Sequence, residues 1–230
     1  MSLVARSSHL APRSSQLAAR SSQLAARSSY NAQKPARAAP HEEDGLDAGG
    51  EELERLPQQG EHSPLLRPAT VADAPAIAAL ARKTFTDTFG HLYSPENLAA
   101  FLSIHTPENW AAEIADPAYC VRLAEADGQP VAYMKLGPPS LPFTPPAGAI
   151  ELRQIYVLPA YHGGGLARAM LATAIAEARA RGCTALYLSV FTDNPRARRF
   201  YAREGFVEVG PYAFMVGDHA DEDIVMRLDL

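Results

Sequence analysis

Two short segments carry residue types whose spacing suits anion binding at a helix start and a tyrosine hydroxyl placed near a helix cap. In the first, Tyr161-His162-Gly163-Gly164-Gly165-Leu166-Ala167, three consecutive glycines stand between a strand-like pattern and a helix-like one. Backbone without Cβ atoms can approach a ligand closely. A helix that starts there aims its first N–H groups and its positive dipole end at the same spot, which makes a site for phosphate oxygens. No Gly-Lys-Ser/Thr follows, so this is not a Walker loop, and Ala167 and Arg168 occupy the later positions of a dinucleotide GxGxxG pattern. The plain alternative is a tight strand-to-helix turn, although three glycines exceed what a turn requires. In the second segment, Asn194-Pro195-Arg196-Ala197-Arg198-Arg199-Phe200-Tyr201, Asn194 can cap a helix and Tyr201 follows about two turns later on the same face. Tyrosine at such a place usually packs; its hydroxyl could also protonate a departing thiolate if it reached a pocket. Glu151 opens the strand before the glycines. Strict alternation puts its side chain on one face with Arg153, Ile155 and Val157, in reach of Arg153 as an ion-pair partner.

The elements that must position these residues are legible as patterns. Ile150–Val157 reads as a strand, and Leu166–Arg181 as a helix with the apolar stripe Leu166, Met170, Leu171, Ala174, Ile175 and Ala178, stopped by Gly182. Thr184–Phe191 reads as a strand and Pro195–Arg203 as a helix stopped at Gly205. Upstream, Ala69–Ala81 has helical spacing, with Asp73 placed to cap and Pro75 in the first turn. Ser94-Pro95-Glu96-Asn97 and Thr106-Pro107-Glu108-Asn109 repeat one helix-start pattern: a hydroxyl N-cap, Pro at N1 and an acid in the positive first turn. Tyr119–Ala126 and Pro130–Leu136 alternate as strands around an Asp127-Gly128 hairpin turn, and a Pro-rich loop, Gly137–Gly148, follows. Phe206–Val209, Tyr212–Val216 and Ile224–Asp229 read as three short antiparallel strands. The pattern is that of an α+β fold with early helices, a central strand–loop–helix and a β-rich end.

Composition narrows the function classes. The 230 residues have 47% hydrophobic side chains and a net charge of −5, which suits one buried domain with an extension and disfavours nucleic acid as the partner. No apolar run nears the roughly 20 residues of a transmembrane helix, so no membrane association is expected. Cys120 and Cys183 lie in no metal or redox spacing, and no metal site is expected; both read as reduced thiols of a cytoplasmic protein. Cys183, just before an apolar strand, does not read as a nucleophile, and His91 and His105 read as packed or solvated rather than as bases. Met1–Pro40 carries six basic residues and no acid, with Arg-Ser-Ser-x-Leu-Ala recurring every seven residues, whereas His41–His62 has eight acids against Arg55. One leucine per repeat makes no coiled-coil seam. The Arg/Ser-rich composition is similar to a transit peptide, but residues 1–62 read best as a disordered repeat tail and acidic linker, with residues 63–230 as the folded domain.

Together, Glu151–Ala167 and Asn194–Phe206 resemble the two signature regions of the GNAT superfamily of N-acetyltransferases. The loop pattern [Gln/Arg]-x-x-Gly-x-[Gly/Ala] maps onto His162–Ala167, with His162 in place of Gln or Arg; Asn194, Ala197, Phe200, Tyr201, Gly205 and Phe206 match the second pattern at every stated position. Arg67–Thr70, Thr84–Tyr93, Glu151–Val157 and Phe214–Leu230 are similar to PaiA-type spermidine/spermine acetyltransferases. The resemblance implies a mixed, mostly antiparallel sheet of about six to seven strands flanked by helices, with a splayed central pair for acyl-CoA. It implies acetyl-CoA as co-substrate and direct transfer to an amine in a ternary complex, with Glu151 as base and Tyr201 as the thiolate's proton donor. Ile155, Tyr156 and Val157 would hold the pantetheine through backbone groups. His162, Gly163, Gly164, Gly165, Leu166 and Ala167 would surround the pyrophosphate, and Asn194 and Ala197 would touch the cofactor arm. The acceptor would be a small amine, polyamines included, for which Asp87, Glu96 and Glu125 are the available acids. A protein N-terminus or lysine as acceptor, a non-catalytic acyl-CoA sensor, and a homodimer stay open.

Overall fold

The structure is a computed structural model that describes residues 63–230; the expected tail and linker, residues 1–62, lie outside the described residues. The strands are β1 (Leu65–Pro68), β2 (Cys120–Ala126), β3 (Gln129–Gly137), β4 (Ala149–Val157), β5 (Ala185–Phe191), β6 (Val207–Val216) and β7 (His219–Asp229). The helices are α1 (Ala74–Phe89), α2 (Pro95–Leu102), α3 (Pro107–Ala115), α4 (Leu166–Ala180) and α5 (Pro195–Arg203). One seven-stranded sheet runs in the order β1-β2-β3-β4-β5-β7-β6. Every neighbouring pair is antiparallel except β4 and β5, whose parallel pairing covers only Ala149–Glu151 against Ala185–Tyr187. Beyond Glu151 the two strands part, because β5 stays paired with β7 through Phe191 while β4 stays paired with β3 through Val157.

Local chemistry sets most of these elements. Ser94 Oγ accepts the Asn97 N–H at 3.3 Å and Thr106 Oγ1 accepts that of Asn109 at 3.2 Å, so both hydroxyls cap the helices whose first residues are prolines. At the β2–β3 turn, Asp127 and Gly128 both have positive φ, 51° and 71°, as a two-residue hairpin turn of matching twist requires. The stripe of α4 is buried at Leu166, Met170, Leu171, Ala174 and Ala178 against Met134, Leu152, Ile155, Val157 and Leu188 on one sheet face. On the other face α1, α2 and α3 cover an aromatic layer in which Phe85, Phe89, Phe101 and Trp110 meet Tyr133, Tyr156, Tyr187 and Tyr212.

Four expectations are corrected. The first helix starts at Ala74, after a 3-10 turn, and continues to Phe89; the Asp73 carboxylate does not cap it but takes two 2.8 Å bonds from Arg67 and one from the Thr70 N–H. The two short strands after Gly205 are one, because the irregularity at Glu208–Gly210 and Pro211 sit on an edge strand, where an unpaired amide is tolerated. β7 begins five residues earlier than expected, with the buried Asp221 and Asp223 inside it, because backbone pairing continues through polar side chains that lack an apolar strand pattern. Finally, alternation along β4 is broken. Lys135 pairs with Gln154 but Leu136 pairs with Leu152, which leaves Arg153 as an extra, bulged residue. Ile155 and Val157 therefore pack with α4, whereas Glu151, Arg153 and Tyr156 lie on the other face. Glu151 does not share a face with Ile155 and Val157.

Candidate active site

The end of β4 defines an open backbone edge. Leu158 N–H donates to Val131 O at 2.9 Å, so Leu158 and Tyr156 turn their backbone groups toward β3. Antiparallel alternation then turns those of Ile155 and Val157 the other way, into the gap left by the departing β5. After a 3-10 turn at Pro159–Tyr161, the chain passes Gly163 (φ 81°) and Gly165 (φ 83°) and enters α4. Both φ values lie in the left-handed region, and a Cβ at either glycine would meet no atom within 4 Å. Glycine is required there by conformation and keeps the surface of the loop bare. No side chain caps α4, so the amides of Leu166, Ala167 and Arg168 have no intrahelical acceptor.

A cleft of about 300 Å³ runs along this edge. Ile155, Val157, His162, Gly163, Gly165, Ala167, Ala197 and Tyr201 all line it, so the structure brings these sequence-derived residues together. Gly164, Leu166, Asn194 and Tyr156 are not among the lining residues. Leu166 anchors α4 in the core, leaving only its amide at the cleft's end. Asn194 caps α5, its Oδ1 accepting the Ala197 N–H at 3.0 Å. Tyr156 is a correction: its backbone faces β3, and its side chain, alternating with Ile155 and Val157, lies on the opposite face beside Tyr133. Burial raises the Tyr156 phenol far above its ordinary value, with the Asp87 carboxylate adding to the effect. Tyr201, 1% exposed, is wedged edge-on between Phe200 and Phe206. The sequence did not single out Arg168, Arg196 and Arg203, which line the cleft and make it cationic. Their signal was the arginine density of α5, which reads from sequence as a solvated helix face.

His162 lines the cleft and is held by a backbone partner. Its Nε2 lies 2.7 Å from the Val157 carbonyl, to which it must donate. Burial holds this imidazole below its ordinary value; the Val157 carbonyl pulls the other way, and Arg196 adds to the lowering.

Across the sheet, Glu151 is fully buried where β4 and β5 separate. Its Oε2 accepts the Ser140 N–H at 2.6 Å and lies 3.3 Å from Ser140 Oγ, while Oε1 meets no hydrogen-bond partner. Burial raises its pKa, opposed first by Arg153 and then by the Ser140 amide. Arg153 donates to the Pro138 carbonyl at 2.9 Å. On the same face, Asp221 accepts from Tyr93 Oη at 2.7 Å and is raised to about 6 by burial, and Tyr212, raised to about 12 by burial, lies within the fields of Glu151 and Asp223. The acids expected to line an amine site are elsewhere: Asp87 pairs with Lys83, Glu125 pairs with Arg67, and Glu96 is exposed in the first turn of α2. Asp221 and Asp223 were missed because acids in a short polar stretch give no sequence sign of burial.

The remaining candidates are simply placed. His91 is exposed, and His105, in the α2–α3 connection, is lowered to about 3 by burial, with Lys135 and Arg82 adding to it. Cys120 is buried, Cys183 is half-buried, and both are free thiols. Among the described residues no group of three His, Cys, Asp or Glu side chains could hold a metal ion, and no helix is long and apolar enough to cross a membrane.

Comparison with known proteins gives a consistent result. The sequence profile described as the acetyltransferase (GNAT) family matches residues 75–206. An uncharacterized N-acetyltransferase of Mycobacterium tuberculosis is 33% identical over 161 residues, covering 70% of this chain and 99% of its own length. Among solved structures, the ribosomal-protein-alanine N-acetyltransferase of Brucella melitensis is 28% identical with a TM-score of 0.57, covering 72% of this chain and 99% of that one. The PaiA N-acetyltransferase of Thermoplasma acidophilum in complex with coenzyme A shares the fold, with a TM-score of 0.60 at 20% identity over 73% of this chain and 99% of that one.

Proposed function

We propose that this chain, which belongs to the acetyltransferase (GNAT) family, transfers acetyl from acetyl-CoA directly to the primary amine of a small molecule. The observation that carries the reading is the gap between β4 and β5, which has an open backbone edge and a cationic, glycine-lined helix start on one face and a buried carboxylate on the other. The residues present fit coenzyme A. Bare glycine backbone, first-turn amides of α4 and three arginines suit phosphate oxygens, and the Ile155 and Val157 backbone groups suit an added strand. When bound, acetyl-CoA supplies an activated acyl group as a thioester.

The chain's own residues then have distinct tasks. Glu151, raised by burial, takes the proton from the incoming ammonium, directly or through water, so that the amine attacks as a neutral nucleophile. Tyr201, inside the cleft wall, gives a proton to the departing sulfur. Asn194 fixes the start of α5 and so the position of Tyr201. For the acceptor, the finer reading is a polyamine, with Asp221 and Asp223 supplying negative charge on the same face as Glu151. A second reading, a protein N-terminus, is favoured by the 28% identity to the Brucella enzyme. The two free thiols favour a cytoplasmic setting.

The test is thiol release from acetyl-CoA in the presence of a panel of monoamines, polyamines and short peptides. Turnover with polyamines above that with monoamines of equal length supports the finer reading, turnover with peptides alone moves the assignment to the second, and no turnover with any amine sinks both.

A further inference from the structure

We propose that His162 is a displaceable partner of the Val157 carbonyl: the imidazole holds this acceptor until a pantetheine amide takes it over, and the released ring then turns to the pyrophosphate. The proposal rests on the coenzyme reading of the cleft given above. Its basis is a conflict of positions. The Val157 carbonyl is part of the β4 edge that faces the gap, yet the 2.7 Å bond from His162 Nε2 already occupies it. The imidazole is half-buried and lines the same cleft, so it stands in the lane that an added strand would follow. His162 lies three residues before Gly165, at the mouth of the glycine turn, where rotation about its side-chain bonds carries the ring from the strand edge toward the start of α4.

The exchange has an electrostatic consequence. The charged groups lining the cleft are Arg168 from α4 and Arg196 and Arg203 from α5, with no carboxylate among the lining residues. In this setting burial and Arg196 disfavour imidazolium, and the Val157 bond only partly offsets them. Beside a pyrophosphate the sign reverses, because a nearby anion favours the charged ring. Coenzyme binding therefore takes up a proton at His162. The affinity gained appears as the pH falls through the higher, bound-state pKa and is complete below the lower, free-state one. Each unit between those two values is worth about tenfold in affinity.

The full-length protein, isotope-labelled at histidine, is titrated with coenzyme A and separately with pantetheine, and the ring signal absent from the H162Q protein is followed by NMR. Binding heats are measured in two buffers of different ionisation enthalpy, for the wild type and for H162Q. We expect both ligands to shift the His162 signal away from its hydrogen-bonded position, and coenzyme A alone to bring proton uptake beyond that seen with H162Q, in which the coenzyme's own phosphates titrate equally. Coenzyme A that binds while the His162 signal stays unmoved, or equal proton uptake by both proteins, overturns the exchange and leaves the coenzyme site standing. Failure of the wild type to bind coenzyme A at all overturns both.

Discussion

Glu151 shows how burial raises a carboxylate's affinity for a proton, which suits it to the base role proposed for it. Its Oε2 is tied to the Ser140 amide while Oε1 is left for a proton, and removal from water raises its affinity for that proton. Glu151→Gln is expected to lower kcat by about 10²–10⁴-fold with coenzyme A affinity unchanged, and to remove the rising limb of the pH–rate profile. The same group links stability to pH. Its folded-state pKa is raised above the ordinary 4.5, so the native state binds the proton more tightly and stability is lost as pH rises through the folded value. Glu151→Gln should therefore gain in Tm relative to the wild type between pH 4 and pH 8; a constant difference across that range would exclude the burial argument. Tyr201 fills the core through its ring, so Tyr201→Phe should unfold at nearly the wild-type denaturant midpoint while kcat falls by about 10²-fold or more. Equal loss of stability and rate would mark it as a packing residue alone.

At the scale of elements, the glycine turn and the bulge do separate jobs. Gly165 ends the turn with φ 83° and open space where a Cβ would stand, so a side chain there costs backbone strain without a clash. Gly165→Val is expected to lose about 1–3 kcal/mol in denaturant unfolding. It should also lose coenzyme A binding in calorimetry, since its side chain fills the surface proposed for the phosphates. A variant that keeps full affinity would place the phosphates elsewhere. The bulge at Arg153 decides which residues look into which side of the gap: it sends Ile155 and Val157 to the α4 face and keeps Glu151 and Tyr156 on the aromatic face. The proposed cofactor edge and the proposed base can thereby belong to one strand yet lie on opposite sides of the sheet.

For the whole molecule, the sheet holds the gap open because each of its walls is secured on the far side, β4 by β3 and β5 by β7. Residues 63–230 contain all seven strands and both core layers. A protein starting at Ser63 is expected to unfold cooperatively with an unchanged midpoint and to bind coenzyme A with wild-type affinity, and a broadened or lowered transition would assign the first 62 residues a part in the domain. The α+β class, the helix starts at Ser94, Thr106 and Asn194, the hairpin at Asp127-Gly128 and the glycine turn were all legible in the sequence. Each is fixed by interactions within a few residues, namely a hydroxyl or amide cap, a positive φ or an apolar period. Only the tertiary structure decided the rest. The extra residue in β4 arises from its register with β3, the Glu151 carboxylate is held by Ser140 eleven residues away, and Asp221 meets Tyr93 across 128 residues of chain. Burial, field and pairing at those sites come from neighbours distant in sequence, which no local pattern encodes.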